Sequence, residues 1–329
     1  AEISKVTNKI GQIGLHGLLA PKQQLAFPEE MFEPSVLESA IKASILTSTR
    51  QKVRSGQKSH NSIQFLHKTF LEYCAGKYLQ RLLETDTVEF NKTLKQIINS
   101  GGNDFEYVLR FCAGDNMACT RSILQTLVES SQFKKEHTNR NEDAPLTQLG
   151  LNCYFESQSK DLPPVEFILS VLTESVVIHK WNRDSFNSFT YFLRNVHTHT
   201  MENKQTDYLG KVQSVEIQWC HLVGGMLDLA HCMSLMMNLS SVTWRKCRVK
   251  DSSEEYAALS GAALVGSAAS LAHHFKKTKN LQKLHCSLID CIFTDRDMTH
   301  IAPALCVLPN LVELSLMGNL GLGGSAASW

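Results

Sequence analysis

Between residues 63 and 83 the apolar side chains fall at helical spacing. Ile63, Leu66, His67, Phe70, Leu71, Cys74, Ala75, Tyr78, Leu79 and Leu82 form one stripe. Lys68, Glu72, Lys77, Gln80 and Arg81 are left for the other side. The pattern predicts one helix over 63–83, capped by Asn61 with Gln64 three residues on. His67 is the polar exception in the stripe, and such an imidazole is ordinarily a core-edge group hydrogen-bonded to a backbone carbonyl. Upstream, Ile3, Val6, Ile10 and Ile13 keep one face, and the glycine-rich run 11–19 marks a tightly packed end. Ser35 and Glu38 have capping-box spacing ahead of a stripe of Leu37, Ala40, Ile41 and Ile45, so residues 1–46 read as compact helices. Residues 47–61 are polar and basic with no apolar period, which reads as a solvated connector.

From 84 to about 206 the pattern is mainly helical. Leu94, Ile97 and Ile98 make one apolar patch, and Tyr107, Val108, Phe111 and Cys112 another. Charged residues over 130–145 and the stretch 157–164, ending in Pro163-Pro164, read as loops. Beyond 206 the period changes. Val212-x-x-Val215-x-Ile217-x-x-Cys220 aligns with Leu239-x-x-Val242-x-Trp244-x-x-Cys247, Lys283-x-x-Cys286-x-Leu288-x-x-Cys291 and Leu311-x-x-Leu314-x-Leu316-x-x-Asn319. The starts lie 27, 44 and 28 residues apart. A unit of that length with an L-x-x-L-x-L-x-x-(N/C) face is a leucine-rich repeat in its strand-plus-helix form. The Cys or Asn packs inward at the turn after each strand and bonds free backbone groups there. In the third repeat a start at Leu281 competes with Lys283, so its register is open by two residues.

Composition narrows the class without naming a function. Hydrophobic content of 43% with 20% charged residues suits a soluble globular chain, and 33 Lys+Arg against 32 Asp+Glu give no global field favouring nucleic acid. No apolar run is long enough to span a bilayer, and residues 1–10 lack the order of a signal peptide. Ten cysteines without a small-domain framework fit reduced thiols, so a cytoplasmic location is expected. Asn91-Lys92-Thr93 and Asn238-Leu239-Ser240 match the glycosylation triplet, which is idle in that compartment. Cys286 and Cys291 near His285 and His300 lack a second pair, so no metal site is expected. Gly76-Lys77 and Gly210-Lys211 have Leu71 and Gln205 where a phosphate loop needs its first glycine. With no G-x-S-x-G and no H-E-x-x-H either, no catalytic residue is expected and the chain does not read as an enzyme.

The run Phe65-Leu66-His67-Lys68-Thr69-Phe70-Leu71-Glu72-Tyr73-Cys74-Ala75-Gly76 resembles the F-(L/F/I)-H-x-(S/T)-F-x-E-(F/Y)-x-A segment of animal nucleotide-binding, leucine-rich-repeat receptors, the NACHT-LRR or NLR family. In that family the segment closes a winged-helix domain behind the ATPase, and its histidine reaches the terminal phosphate of ADP. His67 is the residue onto which that nucleotide-binding role maps. The F-x-E-E-x-F arrangement ending at Phe32, and the polar stretch where the family has its wing, are similar too. Residues 107–121 resemble the family's second helical domain, most nearly in the branch bearing caspase-recruitment domains.

The resemblance implies a mainly α chain with a C-terminal α/β leucine-rich-repeat solenoid: the end of a winged-helix domain over 1–83, a second helical domain over 84–206, and truncated repeats over 207–329. ADP or ATP would bind through an upstream NACHT domain, with none held by these residues alone. Expected partners are proteins: further receptor subunits in an inflammasome-type oligomer, and a microbial protein ligand. The alternative is a leucine-rich-repeat scaffold or transcription regulator with no sensor role. The missing cap after the last repeat and the start inside a domain read as one portion of a longer receptor.

Overall fold

The computed structural model describes residues 2–50, 61–130, 133, 145–203, 206–220, 229, 232–233, 235–246, 284–289, 311–315 and 317. They are mostly helical, with two small sheets and no closed barrel. The chain divides into two compact units, residues 1–132 with 156–159, and 133–155 with 160–329.

In the first unit, α1 (Glu2–Leu19), β1 (Ala26–Pro28), α2 (Pro34–Lys42), β2 (Leu46–Arg50), β3 (Asn61–Phe65) and α3 (Lys68–Thr85) are followed by α4 (Thr87–Asn99), α5 (Glu106–Ala113) and α6 (Met117–Glu129). The three strands form an antiparallel sheet in the order β1-β3-β2. Its central strand is the first finding against the periodicity. Residues 61–65 are not the start of the helix; Ile63 is buried as a strand residue and pairs with Phe27 and Ser48. Two apolar positions in five residues fit a helix and a strand equally, and pairing on both sides decides for the strand. Asn61 therefore caps nothing and donates to Glu29 instead. The basic connector 47–61 supplies the paired ends of a hairpin, with 51–60 outside the described residues.

α3 is the axis of this unit, and it is gripped through glycines. A Cβ on Gly11 of α1 would overlap the Cys74 carbonyl oxygen of α3, and one on Gly14 would stand 2.6 Å from Leu71 Cδ1. On the far side, a Cβ on Gly76 would lie 2.7 Å from both Phe111 Cβ and the Val108 oxygen of α5. The helices approach this closely because no side chain separates them. Leu71, Cys74, Ala75, Leu79 and Leu82 are buried as the stripe predicts, but so is Glu72, which reads as solvent-facing. Lys68 reaches Glu72 at 3.3 Å and compensates the buried carboxylate. The capping box at Ser35 is also displaced. Pro34 takes the first helical position, and Ser35 Oγ donates to Glu33 while Glu38 pairs with Lys42. Arg110 ties residues 156–159 back to the unit, donating to Glu156 at 3.0 Å and to Glu106 at 3.2 Å.

The second unit packs α7 (Pro145–Glu156), α8 (Val165–Val171) and α9 (Arg183–Asn203) around an aromatic chain running Phe133, Phe167, Phe192, Phe189, Trp181. Tyr154 Oη, buried beside it, donates to the Asp161 oxygen and accepts from Asn195, and burial raises its hydroxyl above the ordinary tyrosine range. Against these helices runs a five-stranded parallel sheet in sequential order: β4 (Ser175–His179), β5 (Ser214–Gln218), β6 (Ser241–Arg245), β7 (Leu284–Ile289) and β8 (Leu311–Ser315).

Every aligned repeat start therefore leads into a strand, and the ladder matches the alignment. Val215 pairs with Val242, Val242 with Cys286, and Cys286 with Leu314, the register of the alignment written from Lys283 and not of the one from Leu281. β4 is additional, set inside the stretch read as helical. It pairs Val176 with Val215 and Ile178 with Ile217. Its signal is hidden because Thr173 occupies the leading apolar slot and Trp181 the Cys/Asn slot. Between β5 and β6, Leu229, Cys232, Met233 and Met236 are buried at helical spacing.

Buried thiols set one solution property. Burial pushes Cys74 up to about 12 and Cys220 up to about 11, from a starting value of 9.0. Both thiols stay protonated in the folded chain where the unfolded chain ionises them. Their contribution to stability is intact below pH 9 and declines as pH climbs from 9 towards 12. Denaturant titrations at pH 8 and pH 10.5 should show a lower midpoint at the higher pH, smaller in a Cys74→Ala/Cys220→Ala background. A midpoint independent of pH in the wild type would contradict the burial.

Candidate functional site

His67 stands at the N-cap of α3, where the chain leaves β3 and turns. Its backbone is extended, with φ −142° and ψ 143°, and its Nδ1 accepts the Thr69 amide at 3.1 Å. That bond satisfies one of the orphan amides of the first helical turn. The ring is exposed, and so are Leu66 and Phe70 on either side of it, at 57% and 42%. Within α3 the buried residues thus begin at Leu71. The expectation of a core-edge imidazole donating to a carbonyl is replaced by an exposed one accepting from an amide.

This cap has a chemical consequence. With Nδ1 accepting, a neutral ring carries its proton on Nε2, which leaves a single N–H donor there. The neighbouring end of α3 is the positive end of its dipole, so both groups favour an anion at the same place. Cys74, two turns on, is buried and not beside the imidazole.

The second constellation is the row of turns leaving the parallel strands. His179, Gln218 and Arg245 are paired in the ladder, and the next residue of each strand, Lys180, Trp219 and Lys246, has φ of 55°, 55° and 53°. Each left-handed turn is tied to its neighbour: the Lys180 amide donates to the Gln218 oxygen, and the Trp219 amide to the Arg245 oxygen, both at 2.9 Å. Cys220 is buried below them and fills the role expected of its slot. Its thiol donates to the Gln218 oxygen at 3.2 Å, with the Ile178 oxygen at 3.8 Å. Cys247, Cys291 and Asn319, expected at the same corner, lie outside the described residues, as do His300 and the turn after β7. Outside the turn, Lys246 Nζ sits 4.5 Å from the Trp219 ring centre.

Residue type at this corner is testable. Cys220→Asn, which can donate and accept, should cost under about 1 kcal/mol, while Cys220→Leu loses the bond to the Gln218 oxygen and should cost about 1–3 kcal/mol. Equal loss in both, read from urea midpoints, would mean that volume rather than hydrogen bonding holds the turn.

Sequence reading misses the left-handed turns because none of the three is glycine or asparagine. It also misses the groove formed by Glu29, Phe32, Leu37 and Ile41, whose only sequence trace is the Leu37–Ile41 pair on α2. Among the described residues no cluster of three His, Cys, Asp or Glu could hold a metal, and no helix is long and apolar enough to cross a membrane.

No model of a known protein family matches the chain. Among curated proteins it is similar to an NLR family CARD domain-containing protein 4 of Xenopus tropicalis, 25% identical over 158 residues. The match covers 46% of this chain and 15% of that protein.

Proposed function

We propose that this chain is the winged-helix, helical and leucine-rich-repeat portion of a cytoplasmic NLR-type innate-immune receptor, in which His67 contacts the terminal phosphate of bound ADP. The observation that carries the reading is the exposed, cap-fixed imidazole of His67 in the segment that resembles the family's phosphate-contacting motif. The similarity to an NLR protein supports it at a coarse level. The helix-flanked hairpin sheet ahead of His67 supports a winged helix, and the sequential parallel strands with recurrent turns support repeats. Those strands are common to the scaffold alternative, so His67 is what separates the two readings.

The fit of ADP rests on this chain's own groups. A phosphate oxygen would accept from His67 Nε2 and lie near the positive end of α3, while Thr69 holds the ring in place. The nucleotide itself supplies the charge that this contact reads. The phosphate loop and the remaining contacts belong to a NACHT domain outside these residues. In the proposed mechanism His67 and that domain would together hold ADP, whose phosphate charge would keep the oligomerising face shut. Ligand engagement of the repeats releases the latch, and further subunits then assemble. No catalytic role falls to residues 1–329.

One contact cannot hold a nucleotide alone. Calorimetry should show tight ADP binding by the full-length protein and none tighter than about millimolar by residues 1–329. Micromolar binding to residues 1–329, or none to the full-length protein, would refute the reading.

A further inference from the structure

In the first unit α1 and α3 frame a cleft of about 790 Å³, a volume suited to a small ligand. Tyr73, Lys77 and Arg81 line it from α3, on one helical face at successive turns. Among the described residues neither Lys77 nor Arg81 forms an ion pair. Two like charges one turn apart repel each other, a conflict that an anion between them would relieve. Lys77 is also fixed in place. Gln80 Nε2 donates to the Cys112 and Gly114 oxygens at 3.1 Å, and Gln80 Oε1 accepts from Lys77 at 3.0 Å. That neutral partner leaves the ammonium its charge and two further protons. Across the cleft α1 brings the Ser4 and Thr7 hydroxyls. Asn8 Nδ2 donates to Ser4 Oγ at 3.4 Å, so the Ser4 proton is left for another acceptor. Lys5 also lines the cleft but is taken up by Glu33 at 4.0 Å. Glu84, three residues beyond Arg81, is the opposing carboxylate of the lining and pairs with neither cation among the described residues.

We propose that this cleft binds a small phosphate monoester, its phosphate bridging Lys77 and Arg81 and its organic body lying against Tyr73 and Ile3. The donors choose the ligand. A phosphate brings nearly two charges for two cations, and three acceptor oxygens for ammonium, guanidinium and hydroxyl protons. A carboxylate brings one charge and two oxygens. Tyr73 and Ile3, 41% and 83% exposed, supply apolar surface for the body of the ester. His67 does not line the cleft, so this reading and that of ADP stand or fall separately.

The test uses residues 1–329 and phenyl phosphate as probe, followed by the broadening of its phosphorus NMR line. A fragment of this size should bind with a Kd of about 1 mM. Lys77→Gln and Arg81→Gln should each weaken binding about tenfold. Glu84→Gln should tighten it about twofold, because a repelling charge is gone. Benzoate and inorganic phosphate should both bind more weakly than the ester. Circular dichroism confirms that each variant is folded, and the exposed Arg81 keeps the test valid if Lys77→Gln is not. The proposal is overturned if phenyl phosphate does not bind, or if the folded Lys77→Gln and Arg81→Gln variants bind it as the wild type does. It is overturned too if benzoate or inorganic phosphate binds as tightly as the ester, or if Glu84→Gln weakens binding.

Discussion

On the proposed reading, replacing His67 with leucine in the full-length protein should produce a chain that oligomerises without ligand. If His67 contacts ADP as proposed, leucine removes a charge-assisted hydrogen bond to phosphate of about 1.5–3 kcal/mol, which would shift a closed-to-open population ratio by about ten- to a hundredfold. The same substitution removes the Nδ1 cap of α3, and that alone costs about 1 kcal/mol of stability. His67→Asn separates the two effects. Asparagine caps a helix at least as well, but its amide is too short to carry a donor where Nε2 stands. The His67→Asn variant should therefore melt with the wild type in the absence of ADP and still assemble spontaneously, as measured by size-exclusion chromatography with light scattering. If both variants stay monomeric and only the leucine variant melts early, His67 is a cap and nothing more.

The largest loss of stability is expected at Gly11 and Gly76. In an exposed helix, glycine to alanine is favourable by about 1 kcal/mol. Here the sign should reverse. The new methyl at Gly11 meets a backbone carbonyl of α3, and at Gly76 it meets both a carbonyl and Phe111 Cβ of α5. Backbone cannot swing aside as a side-chain tip can, so the helices must separate along their whole contact and open gaps elsewhere. A cost of about 3 kcal/mol or more is expected for each, equivalent to about 10 °C in Tm for a unit of this size. Gly114→Ala is the control: the nearest atoms to its Cβ would be 3.5 Å away, and its φ is −51°, so little should change. Near-neutral melting of Gly11→Ala would show that α1 and α3 are not in this close contact.

The residues that periodicity reads correctly are those whose environment is one-sided. The Leu71–Leu82 face of α3 and the Val215 and Val242 positions of β5 and β6 bury one face in a regular period, and the period survives in the sequence. Periodicity fails where local patterns compete. Ile63 sits where helix and strand patterns coincide, and only cross-strand partners from distant residues, Phe27 and Ser48, resolve it. Glu72 reads as surface because its compensating Lys68 is one turn back, an arrangement that looks identical on an exposed helix face. β4 is hidden by a tryptophan in a slot that normally holds a small polar residue. His67 reads as part of a helix body and stands instead at its cap, yet the motif singles it out. The motif fixes residue identity, while exposure and capping depend on where α3 begins.

The order of the parallel sheet has a kinetic meaning. Strands β4 to β8 are neighbours in space in the same order as in sequence, so each new pairing closes only the chain between consecutive strands. Assembly can start at any pair and extend in either direction, as a zipper does, and no step waits for a remote segment to arrive. The hairpin sheet differs: β1 must find β3 with α2 and β2 lying between them in the sequence. The two units therefore have distinct entropic barriers. A nascent chain would commit the first only after residue 65 has emerged, whereas the second can be added strand by strand as it is synthesised.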